Sequence, residues 1–154
     1  MEKNIAAIRQ TYSQKELLEK DVAPHPIHQF EQWWNDAVNA EISEVNAMTL
    51  ATATADGMPS ARIVLLKDFS EQGFSFFTNY DSYKGRQLAE NPKACLVFFW
   101  KELERQTRIT GLVQQLPATD SDVYFYSRPI ESQAGAITSP QSRVIESREW
   151  LHHQ

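Results

Sequence analysis

The sequence is poor in cysteine and glycine, and each shortage excludes a class of protein. Cys95 is the only cysteine among 154 residues, so no intrachain disulfide can form, which is typical of a reducing compartment. The five glycines form no G-x-G-x-x-G or G-K-S/T motif, so no glycine-rich phosphate loop is predicted. Because Cys95 lies in the apolar segment ACLVFFW, we predict that its thiol is buried and unreactive.

Long apolar runs and a surplus of basic residues are also missing. No stretch reaches the ~18 apolar residues that a membrane span needs, and the first residues show no apolar signal core. Fifteen Lys and Arg against 20 Asp and Glu give a net charge of −5, which disfavours general binding to nucleic acid or anionic membranes. We therefore predict a cytoplasmic protein in which any bound anion is held by a local basic pocket.

The remaining composition is that of an ordinary globular protein, with 42% hydrophobic and 23% charged residues. The length fits a single domain over residues 1–154, with a polar segment over 1–24. Apolar residues at helical spacing predict a helix from about Pro26 to Ala40. Short β-type segments then follow one another with tight turns, which predicts a mainly β fold, an antiparallel barrel with flanking helices. The predicted strands are AMTLATAT, SARIVLLKDF, FSFFTN, ACLVFFW and RQTRITGLVQQL.

Helix signals occur between and after these strands. Ser82 is placed to cap a short helix before Pro92. After Pro117, Thr119 is predicted to cap a second short helix, and Pro129 separates this from a third. The end of the chain is predicted to begin as a loop at Pro140 and to finish as a helix.

The segment RIVLLK, from Arg62 to Lys67, places an uninterrupted apolar run between two cations. Such a run predicts a strand that is buried on both faces. Cations, hydroxyls and amides near neighbouring strand ends can together bind a phosphate and the polar edge of a ring. Taken singly, each is more typical of a solvated strand end, and only as a group do they favour the two interpretations equally. Besides Arg62 and Lys67, this group comprises Thr78, Asn79, Ser82, Lys84 and Gln106.

A second candidate cluster lies in the segment YFYSRPIES. Tyr124 and Arg128 are four residues apart and share a helix face, and Ser132 follows four residues later, beyond a proline. Arginine offers a forked donor for phosphate, and tyrosine and serine add hydroxyls. Taken alone, these residues are more typical of an ordinary helix surface. His25 and His28 have no cysteine or acidic partner at ligand spacing, so we predict surface residues and no metal site.

Together these motifs resemble the pyridoxamine 5'-phosphate oxidase family. The matching segments are RIVLLK, FFTN followed by SYK, LERQ, YFYSRPIESQAGA and PQS, and the resemblance runs from IRQTY to REWL. It implies an FMN-binding split β-barrel that works as a homodimer, with the flavin at the subunit interface. The implied reaction is oxidation of pyridoxamine or pyridoxine 5'-phosphate to pyridoxal 5'-phosphate by hydride transfer to the flavin, which dioxygen then reoxidises.

The resemblance also implies a role for each matching residue, with no general base assigned because the flavin carries the redox chemistry. The substrate would be bound by Lys67, Tyr124, Arg128 and Ser132, and approached by Arg9 and Tyr12 of RQTY. Gln141 and Ser142 would reach the FMN from the partner subunit. The other implied FMN contacts are Arg62, Ile63, Val64, Leu65, Leu66, Lys67, Phe77, Thr78, Tyr83, Lys84 and Gln106.

The sequence departs from the family pattern at two places. Tyr83 stands where the family commonly has arginine, so one cationic phosphate contact is lost. The family pattern also continues past REWL with groups that contact the flavin and the substrate, and these are not in the sequence. We therefore expect FMN binding with poor turnover, since hydride transfer depends steeply on positioning. Two alternatives remain: a split barrel that binds FMN without this activity, and a small β-barrel module that binds nucleic acid or protein.

Overall fold

The computed structural model describes residues 4–9, 11–14 and 16–153. None of the helices in these ranges is both long and apolar enough to cross a membrane. Three short 3-10 helices are found at Ile5–Ala7, Glu19–Asp21 and Lys101–Leu103. The other elements, in chain order, are α1 (Pro26–Asn39), β1 (Ala47–Ala53), β2 (Pro59–Leu65), β3 (Asp68–Ser70), β4 (Gly73–Ser75), α2 (Tyr83–Glu90), β5 (Lys93–Trp100), β6 (Arg105–Leu112), α3 (Ala118–Ser127), α4 (Ile130–Thr138) and α5 (Arg148–His152).

The strands form two sheets. The larger has the order β2-β1-β5-β6, and β3 and β4 form a separate two-stranded sheet. β1 pairs antiparallel with both β2 and β5, so that Leu50 lies opposite Arg62 on one side and Leu96 on the other. The β1–β2 turn closes with a hydrogen bond from the Gly57 N–H to the Thr54 carbonyl, 3.0 Å. Gly57 has φ = 94°, a conformation that favours glycine, so β1 and β2 are joined by a tight turn, as predicted for consecutive strands.

The chain divides into two compact units, Met1–Val45 with Phe99–Thr107, and Asn46–Phe98 with Arg108–Gln154. In the first unit, the core is aromatic: the rings of Phe30 and Trp34 lie 5.8 and 6.4 Å from that of Trp100. The indole N–H of Trp100 donates to the Val45 carbonyl at 3.0 Å, which satisfies its polar atom in the buried position. The prediction of one domain over residues 1–154 stays a prediction.

In the second unit, the two faces of the sheet differ. On the inner face, Met48, Leu50, Leu96 and Phe98 are buried. The outer face is also apolar but open, and Ile63 remains 65% exposed. β2 alternates between exposed and half-buried residues, because it is an edge strand that is covered on one face only. The prediction that RIVLLK is buried on both faces is therefore wrong.

The predicted strand SARIVLLKDF is broken where the chain passes from one sheet to the other. The Leu66 N–H still donates to Asn46 beside β1, at 2.8 Å, whereas the Lys67 N–H donates to Ser75 of β4, at 2.9 Å. β2 therefore ends at Leu65, and β3 begins at Asp68. The predicted third strand is also shorter, since β4 covers only Gly73–Ser75.

The helix predictions are confirmed except for one cap. α1 begins at Pro26 as predicted, and Ser82 caps α2, its hydroxyl accepting from the Gly85 N–H at 3.2 Å. Thr119 is not the cap of α3, because that helix already begins at Ala118, after Pro117. Cys95 is half-buried rather than buried. Its strand register places it opposite Ala51, on the open outer face, which leaves the residue partly accessible to solvent.

We predict that Gly85→Ala destabilises the protein although alanine favours helices. A Cβ atom at this position would collide with the Tyr80 carbonyl and lie 2.8 Å from the Asn79 oxygen. We expect the free energy of unfolding to fall by roughly 1–3 kcal/mol in urea titrations. Gly135→Ala in α4 is the matched control, since nothing lies within 4 Å of its added Cβ, and a gain of about 0.4–1 kcal/mol is expected. Equal stability of the two variants would contradict the prediction.

Candidate functional site

The Arg62 guanidinium lies on the inner face of the second unit and is held by neutral acceptors. Nη1 donates to the Leu50 carbonyl at 3.1 Å and to the Thr52 hydroxyl at 2.6 Å, and Nη2 donates to the Ser60 hydroxyl at 2.6 Å. Burial lowers the pKa of Arg62 below its ordinary value, and the nearby Tyr83 opposes that shift. Because these partners carry no charge, the positive charge of Arg62 is not cancelled by them.

Lys84 is a second cation in the same environment. Its ammonium donates to the Gln141 side-chain oxygen at 2.7 Å and to the Ser82 hydroxyl at 3.4 Å. Burial lowers the pKa of Lys84, and the positive charge of Arg62 lowers it further. Two cations that repel each other and are held by neutral groups form a favourable site for an anion, because an anion relieves both the repulsion and the desolvation.

The first turn of α2 supplies the rest of this anion site. Ser82, the N-cap, is fully buried, whereas Tyr83 at the first helical position is 44% exposed. The N-terminus of a helix carries partial positive charge and free N–H groups, which favour a phosphate. Tyr83 offers a single O–H donor, whereas an arginine at this position would offer several N–H donors in a forked arrangement.

A second cationic cluster surrounds the ring of Tyr124. The rings of Tyr124 and Phe77 are stacked, with centroids 3.8 Å apart and planes 7° from parallel. The Lys67 ammonium lies 5.6 Å and the Arg128 guanidinium 6.0 Å from the centre of the tyrosine ring. Arg128 also donates to the Ser132 carbonyl at 2.9 Å. The structure therefore brings together Lys67, Tyr124, Arg128 and Ser132.

These four residues line a cavity of about 2000 Å³ within the second unit. Phe77, Thr78 and Gln141 line it as well. The hydroxyl of Thr78 is buried and makes no hydrogen bond to any described residue, so it is available to a ligand. Since Gln141 also accepts from Lys84, it connects the cavity wall with the Arg62 and Lys84 site.

The remaining predicted residues are more scattered. Val64 is half-buried on the side of β2 that carries Arg62, whereas Ile63 and Leu65 lie on the open outer face and Leu66 is buried. Ser142 is exposed with φ = 64°. Three predicted residues belong to the first unit and are exposed, so the site described for the second unit does not include them: Arg9, Tyr12 and Gln106.

Sequence reasoning missed the side chains that hold Arg62, namely Thr52, Ser60 and Gln87. Gln87 is only 2% exposed and Thr52 only 3%. One signal was present in the sequence, because Thr52 continues the inward series of Met48 and Leu50 at a spacing of two residues. A polar residue at such a buried strand position needs a partner. Nothing in the local sequence marks Gln87.

Comparisons with known proteins identify the family of this chain. A family model described as pyridoxamine 5'-phosphate oxidase matches residues 34–154. A curated relative from Nostoc sp. (strain PCC 7120), named pyridoxine/pyridoxamine 5'-phosphate oxidase, is 55% identical over the whole chain and 72% of its own length. A relative of the same name from Thermosynechococcus vestitus is 59% identical over 93% of this chain and 68% of its own.

Two solved structures show the same fold. PhzG from Burkholderia lata 383, in complex with tetrahydrophenazine-1-carboxylic acid, has a TM-score of 0.85 and 31% identity, covering 90% of this chain and 69% of its own. A pyridoxamine 5'-phosphate oxidase-related, FMN binding protein from Nostoc punctiforme has a TM-score of 0.63 and 15% identity, covering 85% and 73%. The predicted split β-barrel is thus confirmed, and the chain belongs to the pyridoxamine 5'-phosphate oxidase family.

Proposed function

We propose that the protein is an FMN-dependent oxidase that converts pyridoxamine or pyridoxine 5'-phosphate to pyridoxal 5'-phosphate, with dioxygen as the final acceptor. The observation that carries this proposal is the presence of two cationic clusters in one unit, Arg62 with Lys84 and Lys67 with Arg128. Cofactor and substrate each carry one phosphate, so two separate clusters suit a reaction between two phosphate esters. The single cysteine supports action in the cytoplasm.

FMN fits the residues at the first cluster. Arg62, Lys84 and the first turn of α2 would hold its phosphate. Thr78, whose hydroxyl is buried without a described partner, would donate to the flavin. Gln141 accepts from Lys84 of the same chain, so Gln141 and the neighbouring Ser142 would complete the site from the same subunit, not from the partner as the family motif implies. The backbone of residues 62–67 would follow the cofactor. When bound, FMN would supply the redox chemistry: it would take up a hydride equivalent from the substrate and pass the two electrons to dioxygen, which would leave as hydrogen peroxide.

The second cluster would hold the phosphate of the substrate. Arg128 and Lys67 supply charge, and Tyr124 and Ser132 supply hydroxyls. The stacking of Tyr124 on Phe77 restricts the tyrosine side chain, so its hydroxyl is positioned before the substrate arrives. Family motifs alone support Gln106 at the flavin ring and Arg9 and Tyr12 near the substrate.

A second candidate is an FMN-dependent split barrel with a different substrate. The observation that favours it is the TM-score of 0.85 with PhzG, which was solved with tetrahydrophenazine-1-carboxylic acid. That ligand carries a carboxylate and no phosphate. Purified protein assayed with pyridoxine 5'-phosphate and with pyridoxine separates the two candidates, since our proposal predicts that the turnover, although slow, depends on the phosphate group.

We also propose a homodimer formed through the outer face of the sheet. Ile63 and Leu65 remain 65% and 39% exposed there, and strand register places Val97 and Cys95 on the same side. An apolar sheet face in contact with water is a typical interaction surface. A second copy of the chain would cover it.

We predict that Arg62→Ala weakens FMN binding by roughly 2–4 kcal/mol, about 30- to 1000-fold in Kd. The reason is the loss of a charged donor from a partly desolvated phosphate site. Quenching of flavin fluorescence during titration measures the effect. Arg108→Ala, an exposed arginine on β6, is the control and should leave the affinity unchanged. Unaltered FMN affinity of Arg62→Ala would refute the assignment of this cluster.

We predict that Arg128→Ala leaves FMN bound and impairs binding of the phosphorylated substrate. Arg128 belongs to the cluster around Tyr124, so its loss should weaken pyridoxal 5'-phosphate binding by about 10-fold or more, with little change for pyridoxal. Equilibrium titration of both ligands measures the difference. A variant that loses flavin but still binds pyridoxal 5'-phosphate would show that the Arg128 cluster binds the FMN phosphate, which contradicts our assignment of the two clusters.

We predict that Ile63→Asp converts the dimer to a monomer. A stable dimer of this type commonly buries about 2000 Å² or more, and a carboxylate in the centre of an apolar interface is costly. Light scattering at micromolar concentration measures the mass, and alkylation of Cys95 should become faster in the variant. Met58→Asp, at the exposed β1–β2 turn, is the control. A monomeric wild-type protein with FMN bound would contradict the proposal.

A further inference from the structure

Gln87 lies at the centre of the group that holds Arg62. Its side-chain oxygen is 2.6 Å from the Thr52 hydroxyl oxygen, 2.7 Å from that of Ser60 and 3.4 Å from Nη2 of Arg62. The residue is 2% exposed, and its amide nitrogen makes no hydrogen bond to any described residue. One carbonyl oxygen thus meets both hydroxyls and the edge of the guanidinium.

The chemistry of the donors fixes the direction of each hydrogen bond. A guanidinium can only donate, and Arg62 lies 2.6 Å from both hydroxyl oxygens. Each hydroxyl therefore accepts from Arg62 and turns its single proton towards Gln87, whose oxygen can only accept. The opposite orientation of the amide would direct its N–H groups at the guanidinium. The oxygen of Gln87 consequently orients both hydroxyls so that their lone pairs face Arg62.

The neutrality of the Gln87 side chain is as important as its position. A carboxylate at residue 87 would accept the same hydrogen bonds, but it would also neutralise Arg62. Lys84 is held in the same way, by the amide oxygen of Gln141 and the hydroxyl of Ser82. Both cations are thus anchored by neutral oxygens. At Gln87 the unpaired buried amide nitrogen is unfavourable, and the hydrogen bonds that its side-chain oxygen accepts offset this cost.

We infer that Gln87 is a positioning residue for the FMN phosphate, which orients Arg62 through Thr52 and Ser60 without cancelling its charge. This inference rests on the proposed function of Arg62. It makes a specific claim, that the neutral amide is required for the recognition of the phosphate and not for the recognition of the flavin ring.

Gln87→Glu tests the claim, with FMN and riboflavin as a pair of probes that differ only in the phosphate. We expect the Kd for FMN to rise about 10- to 100-fold, because the new carboxylate pairs with Arg62 and repels the phosphate. The Kd for riboflavin and the melting temperature should stay nearly unchanged. Gln32→Glu, on the exposed side of α1, introduces the same charge elsewhere and should alter neither affinity.

Gln87→Met is the second variant, because it removes the acceptor without adding charge and is suited to a buried site. We expect a smaller loss of FMN affinity, about 3- to 10-fold, again with riboflavin unaffected. Equal losses for FMN and riboflavin would overturn the inference, since they indicate general damage to the site. Unchanged FMN affinity in both variants would also overturn it.

The wild-type protein and Arg62→Ala distinguish this inference from the proposed function. If the wild-type protein prefers FMN to riboflavin and Arg62→Ala abolishes the preference, while both Gln87 variants retain it, then the function stands and only the role of Gln87 fails. If the wild-type protein binds the two probes equally, the proposed phosphate site itself is wrong, and the inference falls with it.

Discussion

The site in the second unit depends on two half-buried cations that are held by neutral partners. Desolvation lowers the pKa of both Arg62 and Lys84, and repulsion from Arg62 adds to the shift at Lys84. A carboxylate beside either cation would stabilise its charged form, but it would also leave the site unable to attract an anion. Hydroxyl and amide oxygens fix the two side chains and leave their charge available. The desolvation and mutual repulsion of the two cations reduce the free energy of unfolding, and a bound anionic ligand can offset this loss.

Several features of the fold serve to place these two cations. The register between β1 and β2 puts Arg62 opposite Leu50, so the guanidinium rises from the inner face. α2 contacts β1, and its start is fixed by the Ser82 cap and by Gly85, where the Tyr80 carbonyl approaches too closely for a side chain. The strand register and the helix cap thereby bring Arg62 and Lys84, which are distant in sequence, close to each other.

The same edge strand serves two surfaces because its side chains alternate. Arg62 and Val64 point to the inner face, and Ile63 and Leu65 point to the open outer face. In the proposed dimer, one strand would therefore contact the cofactor on one side and the partner subunit on the other. A substitution on either face is then expected to affect the other through the position of the β2 backbone.

The sequence by itself determined the helices and strands that depend on local pattern, such as α1 from Pro26 and the Ser82 cap, and the motifs that indicate the family. Only the tertiary structure decided that RIVLLK leaves one sheet at Leu66, that Cys95 faces outward, and that Phe77 stacks on Tyr124. Gln87 likewise meets Thr52 and Ser60 only after folding. Periodicity reports the surroundings of a residue along its own strand or helix, whereas these contacts depend on which elements pack together and in what register.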